Sequence, residues 1–274
     1  IYGFITIPYD IIYDLIEHPY FQRLRRIKQL GLTHYVYPGA LHTRFHHALG
    51  AMHLMQQAIK TLRGKSIEIT KEEAEAVTIA ILLHDIGHGP FSHALEHKIV
   101  SVHHEEVSLL FMEQLNEEFN GQLNLAIKIF KGSYYKKFLH QLVSSQLDMD
   151  RMDYLNRDSY FTGVSEGVIG YDRIIQMLNV RNDEIVIEYK GIYSIEKFLI
   201  ARRIMYWQVY LHKTALSAEQ MLIKIFARIK ILASQKVDLP MSKALRFFVY
   251  NNVNDEQFKT SRKQLLDQFA LLDD

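Results

Sequence analysis

A histidine and an aspartate stand side by side at His84 and Asp85, at the predicted end of an apolar helix. His88 and His93 follow in a turn that glycine and proline residues break. Divalent transition ions accept imidazole nitrogen and carboxylate oxygen as ligands, and neighbouring side chains at a helix end can reach one ion. The chain has no cysteine, so histidine, aspartate and glutamate are the only strong ligands it offers. The sequence therefore predicts a metal site at this turn.

Two more residues could complete this metal site. His47 stands on the preceding predicted helix, and Asp150 stands at the start of a later one. Two imidazoles and two carboxylates leave coordination positions open for water and for a phosphate oxygen. An ion held in this way lowers the pKa of its water and polarises a phosphoryl group, which indicates hydrolytic chemistry. The alternative for Asp150 is an acidic residue that only stabilises a helix N-terminus through the helix dipole.

The hydrophobic pattern predicts a mostly helical chain, whose helices must bring the metal ligands together. Alternation over residues 3–8 predicts a short strand, and apolar residues at every third position predict a helix over residues 21–30 that ends at Gly31. Further helices are predicted over residues 44–62, 71–84, 104–119, 122–130, 136–144, 151–160 and 171–178.

The last third of the chain adds a hairpin and a long helix. Runs of β-prone residues on both sides of Lys190 and Gly191 predict the hairpin. One helix is predicted over residues 195–232, and its apolar residues on more than one side indicate burial against the domain and against a partner subunit. The aromatic stretch of Tyr206, Trp207 and Tyr210 is interpreted as core or subunit interface and not as a base-stacking platform.

Charge and hydropathy exclude some classes of function. Lys and Arg number 32 against 31 Asp and Glu, so the chain is almost neutral. Its net charge therefore does not favour binding to nucleic acid or to an anionic membrane. The basic run Arg23, Arg25, Arg26 and Lys28 is interpreted as a solvated helix face. No apolar run is long enough for a membrane span and no signal peptide opens the chain, so a cytoplasmic protein is expected. We also expect the chain to lack both ends of a longer protein.

Four segments occur in a specific order, namely HTRFHHALG, LLHDIGHGPFSHALEH, HHEEVS and LDMDRMDYLNRD. With them the chain resembles the HD-superfamily phosphohydrolases and, among these, the deoxynucleotide triphosphohydrolases, over about residues 2–172. The resemblance implies an all-α fold with an HD-domain helical core over residues 1–180. A small β-hairpin and a C-terminal helical lobe, expected to be truncated, would follow over residues 181–274 and pack on the core.

The resemblance also assigns roles position by position. The metal ligands would be His47, His84, Asp85 and Asp150. The catalytic residues near the phosphates would be His88, His93, His104 and Glu96. The residues that bind the substrate would be Arg44 and Arg151 at the phosphates and Gln29, Leu30, Tyr154 and Asp158 at the sugar. His93 would transfer the proton at the scissile bond, and Glu96 would orient it. Arg151 stands where relatives usually carry lysine, and a forked guanidinium binds phosphate differently from a point charge.

The activity that the resemblance implies is hydrolysis of deoxynucleoside triphosphates to deoxynucleoside and inorganic triphosphate, by attack of metal-activated water on the α-phosphorus. Two alternatives stay open: an HD phosphatase or phosphodiesterase acting on another phosphorylated metabolite, and a nucleotide sensor with little turnover. The expected cofactor is one divalent ion of iron, manganese, zinc, nickel or cobalt, with magnesium accompanying the substrate as an option. The expected partners are a nucleotide and further copies of the chain in a dimer or tetramer, with no membrane and no nucleic acid.

Overall fold

The computed structural model describes residues 1–100, 102–251, 253 and 261–274. Within them the chain forms α-helices joined by short 3-10 turns, and two β-strands pair as one antiparallel hairpin. The helices are α1 (Asp10–Glu17), α2 (Pro19–Gln22), α3 (Arg44–Gly64), α4 (Lys71–Leu83), α5 (His104–Glu118), α6 (Asn124–Phe130), α7 (Lys137–Val143), α8 (Met149–Thr162), α9 (Tyr171–Met177), α10 (Ile192–Met205), α11 (Lys213–Ser234), α12 (Lys243–Tyr250) and α13 (Arg262–Ala270). The strands are β1 (Leu178–Arg181) and β2 (Glu184–Ile187). The predicted all-α fold class with a small hairpin is confirmed.

Helices α3, α4 and α8 form the centre of the fold. Helix α3 packs against both α4 and α8, and α4 packs in turn against α6. Fully buried apolar side chains of the three helices include Met52, Met55, Ile81, Leu82 and Leu155. Each such side chain stabilises the fold by about 1.5–3 kcal/mol relative to leaving it exposed. The predicted metal ligands stand on or next to these three closely packed helices.

The turn after α4 is held from two sides. Gly87 donates its backbone N–H to Ser108 Oγ at 2.9 Å, and a Cβ at Gly87 would overlap the backbone of α5. From the other side, the guanidinium of Arg23 donates to the carbonyl oxygens of Ile86 at 2.8 Å and His88 at 2.7 Å. Arg23 is only 1% exposed, so its interpretation as part of a solvated face is wrong. Its buried charge instead satisfies carbonyl groups that the turn leaves free.

The N-terminal segments differ from their predicted structure. Residues 3–8 form no strand, because the described chain offers them no strand partner. The helix predicted over residues 21–30 is wrong as well, since α2 ends at Gln22 and a 3-10 turn follows. The backbone is then extended, and Lys28 pairs with Thr43 in an isolated antiparallel bridge. Tertiary pairing outweighs the helical spacing of the apolar residues here.

The hairpin lies earlier than predicted. Strands β1 and β2 are joined by Asn182 and Asp183, both in the left-handed region with φ of 53° and 62°. Asparagine and aspartate tolerate this conformation, which a two-residue hairpin turn requires. Lys190 and Gly191 belong instead to a 3-10 turn that leads into α10.

The long helix predicted over residues 195–232 is interrupted. Helix α10 ends in a π-helical turn over Tyr206–Tyr210, and α11 begins after His212, whose side chain accepts a hydrogen bond from the Thr214 N–H at 3.3 Å. Helix α11 then packs against the 3-10 turn Gly31–Tyr35. No helix within the described residues is both long and apolar enough to cross a lipid bilayer.

Candidate metal centre and adjoining cavity

The four predicted metal ligands meet where α3, the end of α4 and the start of α8 come together. His47 Nε2 lies 3.1 Å from Asp150 Oδ1 and 3.3 Å from His84 Nε2, and His84 Nε2 lies 3.4 Å from Asp150 Oδ1. Asp85 Oδ1 lies 3.5 Å from His84 Nε2. Ligand atoms that share one ion at about 2.1 Å stand about 3.0–3.4 Å from one another. His47, His84 and Asp150 could therefore hold a divalent ion, and Asp85 stands beside this group.

Arg44 stands beside this metal centre. It donates from one guanidinium nitrogen to Asp85 Oδ2 and from Nε to Ser92 Oγ at 3.0 Å. Its side chain is buried, so its charge is poorly screened by water. Arg44 therefore neutralises Asp85 through Oδ2, the oxygen that also lies 3.7 Å from His47 Nε2, and brings a fixed positive charge next to the centre.

Hydrogen bonds orient both histidine ligands. His47 Nδ1 lies 2.7 Å from Asp153 Oδ2, and His84 Nδ1 lies 2.6 Å from the Ile81 carbonyl oxygen. Because an acceptor faces each Nδ1, the proton belongs there and the Nε2 lone pairs face the metal centre. Asp153 is itself held by Arg157, which donates to both carboxylate oxygens at 2.8 and 2.9 Å.

The electrostatics of the centre favour a cation. Burial would lower the pKa of His47, but hydrogen bonds to Asp150 and Asp153 raise it to about 10. Burial likewise opposes ionisation of Asp150, yet hydrogen bonds from His47 and His84 hold its pKa below the usual range. The carboxylates thus attract positive charge strongly enough to overcome desolvation.

Asp153 was missed as a functional residue, because an acid near a helix start has an ordinary explanation in the helix dipole. The available signal was its spacing of three residues from Asp150, which places both on one face of a helix. Gly50 confirms how tightly the Asp153 and Arg157 pair is fitted, since a Cβ there would overlap both side chains.

We expect Asp153→Asn to weaken metal affinity by about 10–100-fold, as loss of a carboxylate behind a ligating histidine typically does. The amide can no longer stabilise the Nδ1–H of His47 as a carboxylate does. Metal titration of the purified variant measures the effect, and Asp172→Asn, an exposed change on α9, is the matched control. Unchanged affinity in a folded Asp153→Asn protein would show that His47 needs no such support.

The predicted catalytic residues form a second cluster next to the metal centre. Glu96 accepts from His93 Nδ1 at 3.1 Å and from His104 Nδ1 at 2.5 Å. His88 stacks on His104 with ring centroids 4.0 Å apart, and its Nε2 lies 3.3 Å from Asp85 Oδ1. Partial burial would raise the pKa of Glu96, but the hydrogen bonds from the two histidines hold it below its usual range. Burial and Arg44 keep the pKa of His88 well below its usual value, so His88 is neutral near pH 7.

Both clusters border one cavity of about 430 Å³. This volume is within the range of small-molecule sites, roughly 300–1,000 Å³. The predicted site residues that line the cavity are Gln29, Leu30, Arg44, Asp85, His88, His93, His104, Asp150, Arg151, Tyr154 and Asp158. Three predicted site residues do not line the cavity themselves but contact side chains that do, namely His47, His84 and Glu96. The cavity wall also contains residues that were not predicted to belong to the site, namely Gly31, Thr33, Phe91, Ser92, Glu105, Ser144, Tyr206, Tyr210 and Glu219.

Helix α8 lines one side of the cavity. Asp150, Tyr154 and Asp158 are spaced four residues apart, so they lie on one face and span about 12 Å along the helix. Asp158 is buried and is held by His42 Nε2 at 2.7 Å and by the Tyr210 hydroxyl at 2.8 Å. Burial and Asp158 raise the pKa of Tyr210 well above its usual value, so its hydroxyl stays a donor.

Tyr206 and Tyr210, interpreted from the sequence as core or subunit interface, also contribute to the candidate site. Both belong to the π-helical turn after α10 and line the cavity. The turn, which the sequence pattern gave no reason to expect, aims the Tyr210 hydroxyl at α8. Such π-turns often occur at functional sites.

Comparisons with known proteins agree with this geometry. A model of the HD domain matches residues 44–158, and a model of the HD-associated region matches residues 169–241. The crystal structure of a phosphohydrolase from Bacteroides thetaiotaomicron is similar to the chain with a TM-score of 0.96 and 61% identity, over 99% of this chain and 68% of that chain. The chain belongs to the HD-domain phosphohydrolase family. The resemblance inferred from the sequence is confirmed, and hydrolase chemistry with a divalent metal is the property of this family.

Curated relatives are similar over most of the chain. The uncharacterized protein YwfO of Bacillus subtilis is 39% identical over 239 residues, which is 85% of this chain and 55% of YwfO. The deoxynucleoside triphosphate triphosphohydrolase SAMHD1 homolog of Dictyostelium discoideum is 34% identical over 246 residues, which is 82% of this chain and 48% of that protein. The chain thus spans about half of the length of these two relatives.

Proposed function

We propose that the chain hydrolyses deoxynucleoside triphosphates to deoxynucleoside and inorganic triphosphate. The observation that carries the proposal is one cavity that joins the metal centre, two arginines, the histidine cluster and the Tyr154 and Asp158 face of α8. The name of the Dictyostelium relative, which states this activity for that protein, supports the same substrate class. A smaller phosphate ester would leave the Asp158 end of the cavity without a contact.

The phosphates belong at the end of the cavity that carries fixed positive charge. Arg44 is held in place by Asp85 and Ser92, and Arg151 is held by a hydrogen bond from its Nε to the Ser145 carbonyl oxygen at 2.7 Å. Both arginines line the cavity, and their preorganised guanidinium groups bind phosphate oxygens through forked hydrogen bonds.

The metal centre completes the phosphate end. An ion bound by the four residues would polarise a phosphoryl oxygen and lower the pKa of a water molecule. In its doubly protonated form His93 would give the Nε2 proton to the leaving group, while Glu96 accepts from Nδ1 and stabilises the imidazolium. A sensor that only binds nucleotide has no need of such a proton donor.

The deoxyribose belongs at the Asp158 end. The Gln29 Oε1 atom is buried and has no hydrogen-bond partner within the described residues, so a sugar hydroxyl could donate to it. The rings of Tyr154 and Tyr210 meet edge to face with centroids 6.2 Å apart, and Tyr210 is fixed by Asp158. A fixed aromatic wall accepts the apolar C2′ methylene of deoxyribose better than a hydroxyl.

Turnover of each deoxynucleoside and ribonucleoside triphosphate with manganese, iron or magnesium tests the proposal. We expect triphosphate and deoxynucleoside as products and a preference for the deoxy form of about 10–100-fold, the usual limit when a pocket must reject an added hydroxyl. A double variant, His84→Ala with Asp85→Ala, is the inactive control. Turnover of a different phosphorylated metabolite alone would favour the general phosphatase, and bound nucleotide that persists unhydrolysed in metal-loaded protein would favour the sensor.

The resemblance supports further parts of the same proposal. One divalent ion of iron, manganese, zinc, nickel or cobalt would occupy the centre, and magnesium could accompany the substrate. The protein would act in the cytoplasm as a dimer or tetramer. Residues 1–180 would form the catalytic core and residues 181–274 the lobe that packs on it.

A further inference from the structure

Glu219 places a carboxylate in the cavity wall far along the chain from every predicted site residue. It stands on α11, which packs against the 3-10 turn Gly31–Tyr35. Its Oε1 lies 4.0 Å from the position that a Cβ on Gly31 would take. Gln29 and Leu30 directly precede this turn, so Glu219 lies next to the wall that the proposed function gives to the sugar.

The Glu219 carboxylate makes no hydrogen bond or ion pair with any part of the chain that the structure describes. It is nevertheless partly buried, and this burial raises its pKa above the usual value. A carboxylate that has lost water and gained no partner costs free energy, so a hydrogen-bond donor on a ligand would stabilise it.

The other acids of the cavity wall are already engaged or stand elsewhere. Asp85 and Asp150 belong to the metal centre, and Asp158 is held by His42 and Tyr210. Glu105 directly follows His104 at the start of α5, beside the histidine cluster. Glu219 is thus the partly buried acid in this wall that is left to contact a ligand.

The chemistry of a nucleotide decides which of its parts can face Glu219. Phosphates are excluded, because two anions would repel each other in a poorly solvated place. A base can donate: guanine offers N1–H and an amino group side by side, while cytosine and adenine offer one amino group each. Thymine offers a single N–H between two carbonyl oxygens, and these oxygens would repel a carboxylate.

We propose that Glu219 recognises the nucleobase and makes the enzyme prefer guanine, then cytosine and adenine, over thymine. The inference rests on the proposed function, because it takes a deoxynucleoside triphosphate as the occupant of the cavity. A carboxylate that receives both donors of guanine forms charge-assisted hydrogen bonds, which are about twice as strong as neutral ones.

The test compares kcat/KM for dGTP, dCTP, dATP and dTTP in the wild type and in Glu219→Gln. We expect the change to lower kcat/KM for dGTP by about 10-fold or more, the usual effect of losing a hydrogen bond to a charged group. The value for dTTP should stay the same or rise, since the amide can donate to a thymine carbonyl. Glu196→Gln, an exposed change on α10, is the matched control and should leave all four values unchanged.

The dGTP-to-dTTP ratio separates recognition from a folding defect, which would lower all four values equally. Equal changes for the four nucleotides, or none, would overturn the inference while hydrolysis itself upholds the proposed function. Equilibrium dialysis with the same nucleotides measures binding for the case in which the wild type hydrolyses none of them. Base-selective binding that Glu219→Gln abolishes, without hydrolysis by the wild type, would overturn the proposed function and keep the inference; absence of both binding and hydrolysis would overturn both.

Discussion

Replacing Asp150 with alanine is expected to remove the bound metal ion and to lower the rate of hydrolysis by more than about 10³-fold, the equivalent of the several kcal/mol that a metal ion contributes. Asp150 Oδ1 is within 3.4 Å of the Nε2 atoms of both His47 and His84. Its loss therefore removes the one carboxylate oxygen that both imidazoles contact. Metal content per chain, measured by elemental analysis, and turnover of the best deoxynucleoside triphosphate should fall together.

Asp172→Ala is the matched control for Asp150→Ala, because it removes an exposed carboxylate one helix further along the chain. It should keep both the metal and the activity. An Asp150→Ala protein that kept one metal ion per chain and full turnover would show that the ion binds elsewhere. Full metal content with lost turnover would instead give Asp150 a role in chemistry and not in binding.

Half of the predicted site residues stand on α-helices, whose regular register helps to bring them together. The spacing of Asp150, Tyr154 and Asp158 needs only the α-helical repeat to place them on one face. His84 and Asp85 are adjacent in the sequence, so the end of α4 alone is enough to place them side by side. Local sequence therefore carries enough information to place these groups, once the packing of α3 against α4 and α8 is assumed.

Other parts of the site depend on contacts between distant segments, which local patterns do not encode. Arg23 was expected in solvent, yet it is buried between Phe111 and Phe269 and binds the carbonyl groups of the turn after α4. The π-helical turn that brings Tyr210 to Asp158 interrupts a continuous helical pattern, so tertiary packing and not propensity decides its conformation. The position of the hairpin, by contrast, can be predicted from local sequence, because Asn182 and Asp183 are residues typical of a two-residue turn.

His93→Ala is expected to lower kcat by about 10²–10⁴-fold, the usual contribution of a positioned general acid or base, while the metal content stays the same. His93 lines the cavity and belongs to the cluster around Glu96. With His88 and His104 it forms a second group whose atoms could hold an ion, but this group is separate from His47, His84 and Asp150. Loss of His93 should therefore affect proton transfer and leave the ion in place. KM should change by less than kcat, because Arg44 and Arg151 still bind the phosphates.

His103→Ala is the sharpest control for His93→Ala, since both histidines contact Glu96. His103 Nε2 lies 3.3 Å from Glu96 Oε1, but His103 does not line the cavity. If contact with the substrate is what matters, the His103 variant keeps kcat within about threefold, a change of under 1 kcal/mol in the barrier. Equal losses of kcat in the two variants would mean that the network around Glu96 acts as a whole. Loss of metal in His93→Ala would instead assign His93 as a metal ligand. Only a lower kcat with metal retained, in His93→Ala but not in His103→Ala, assigns the proton to His93.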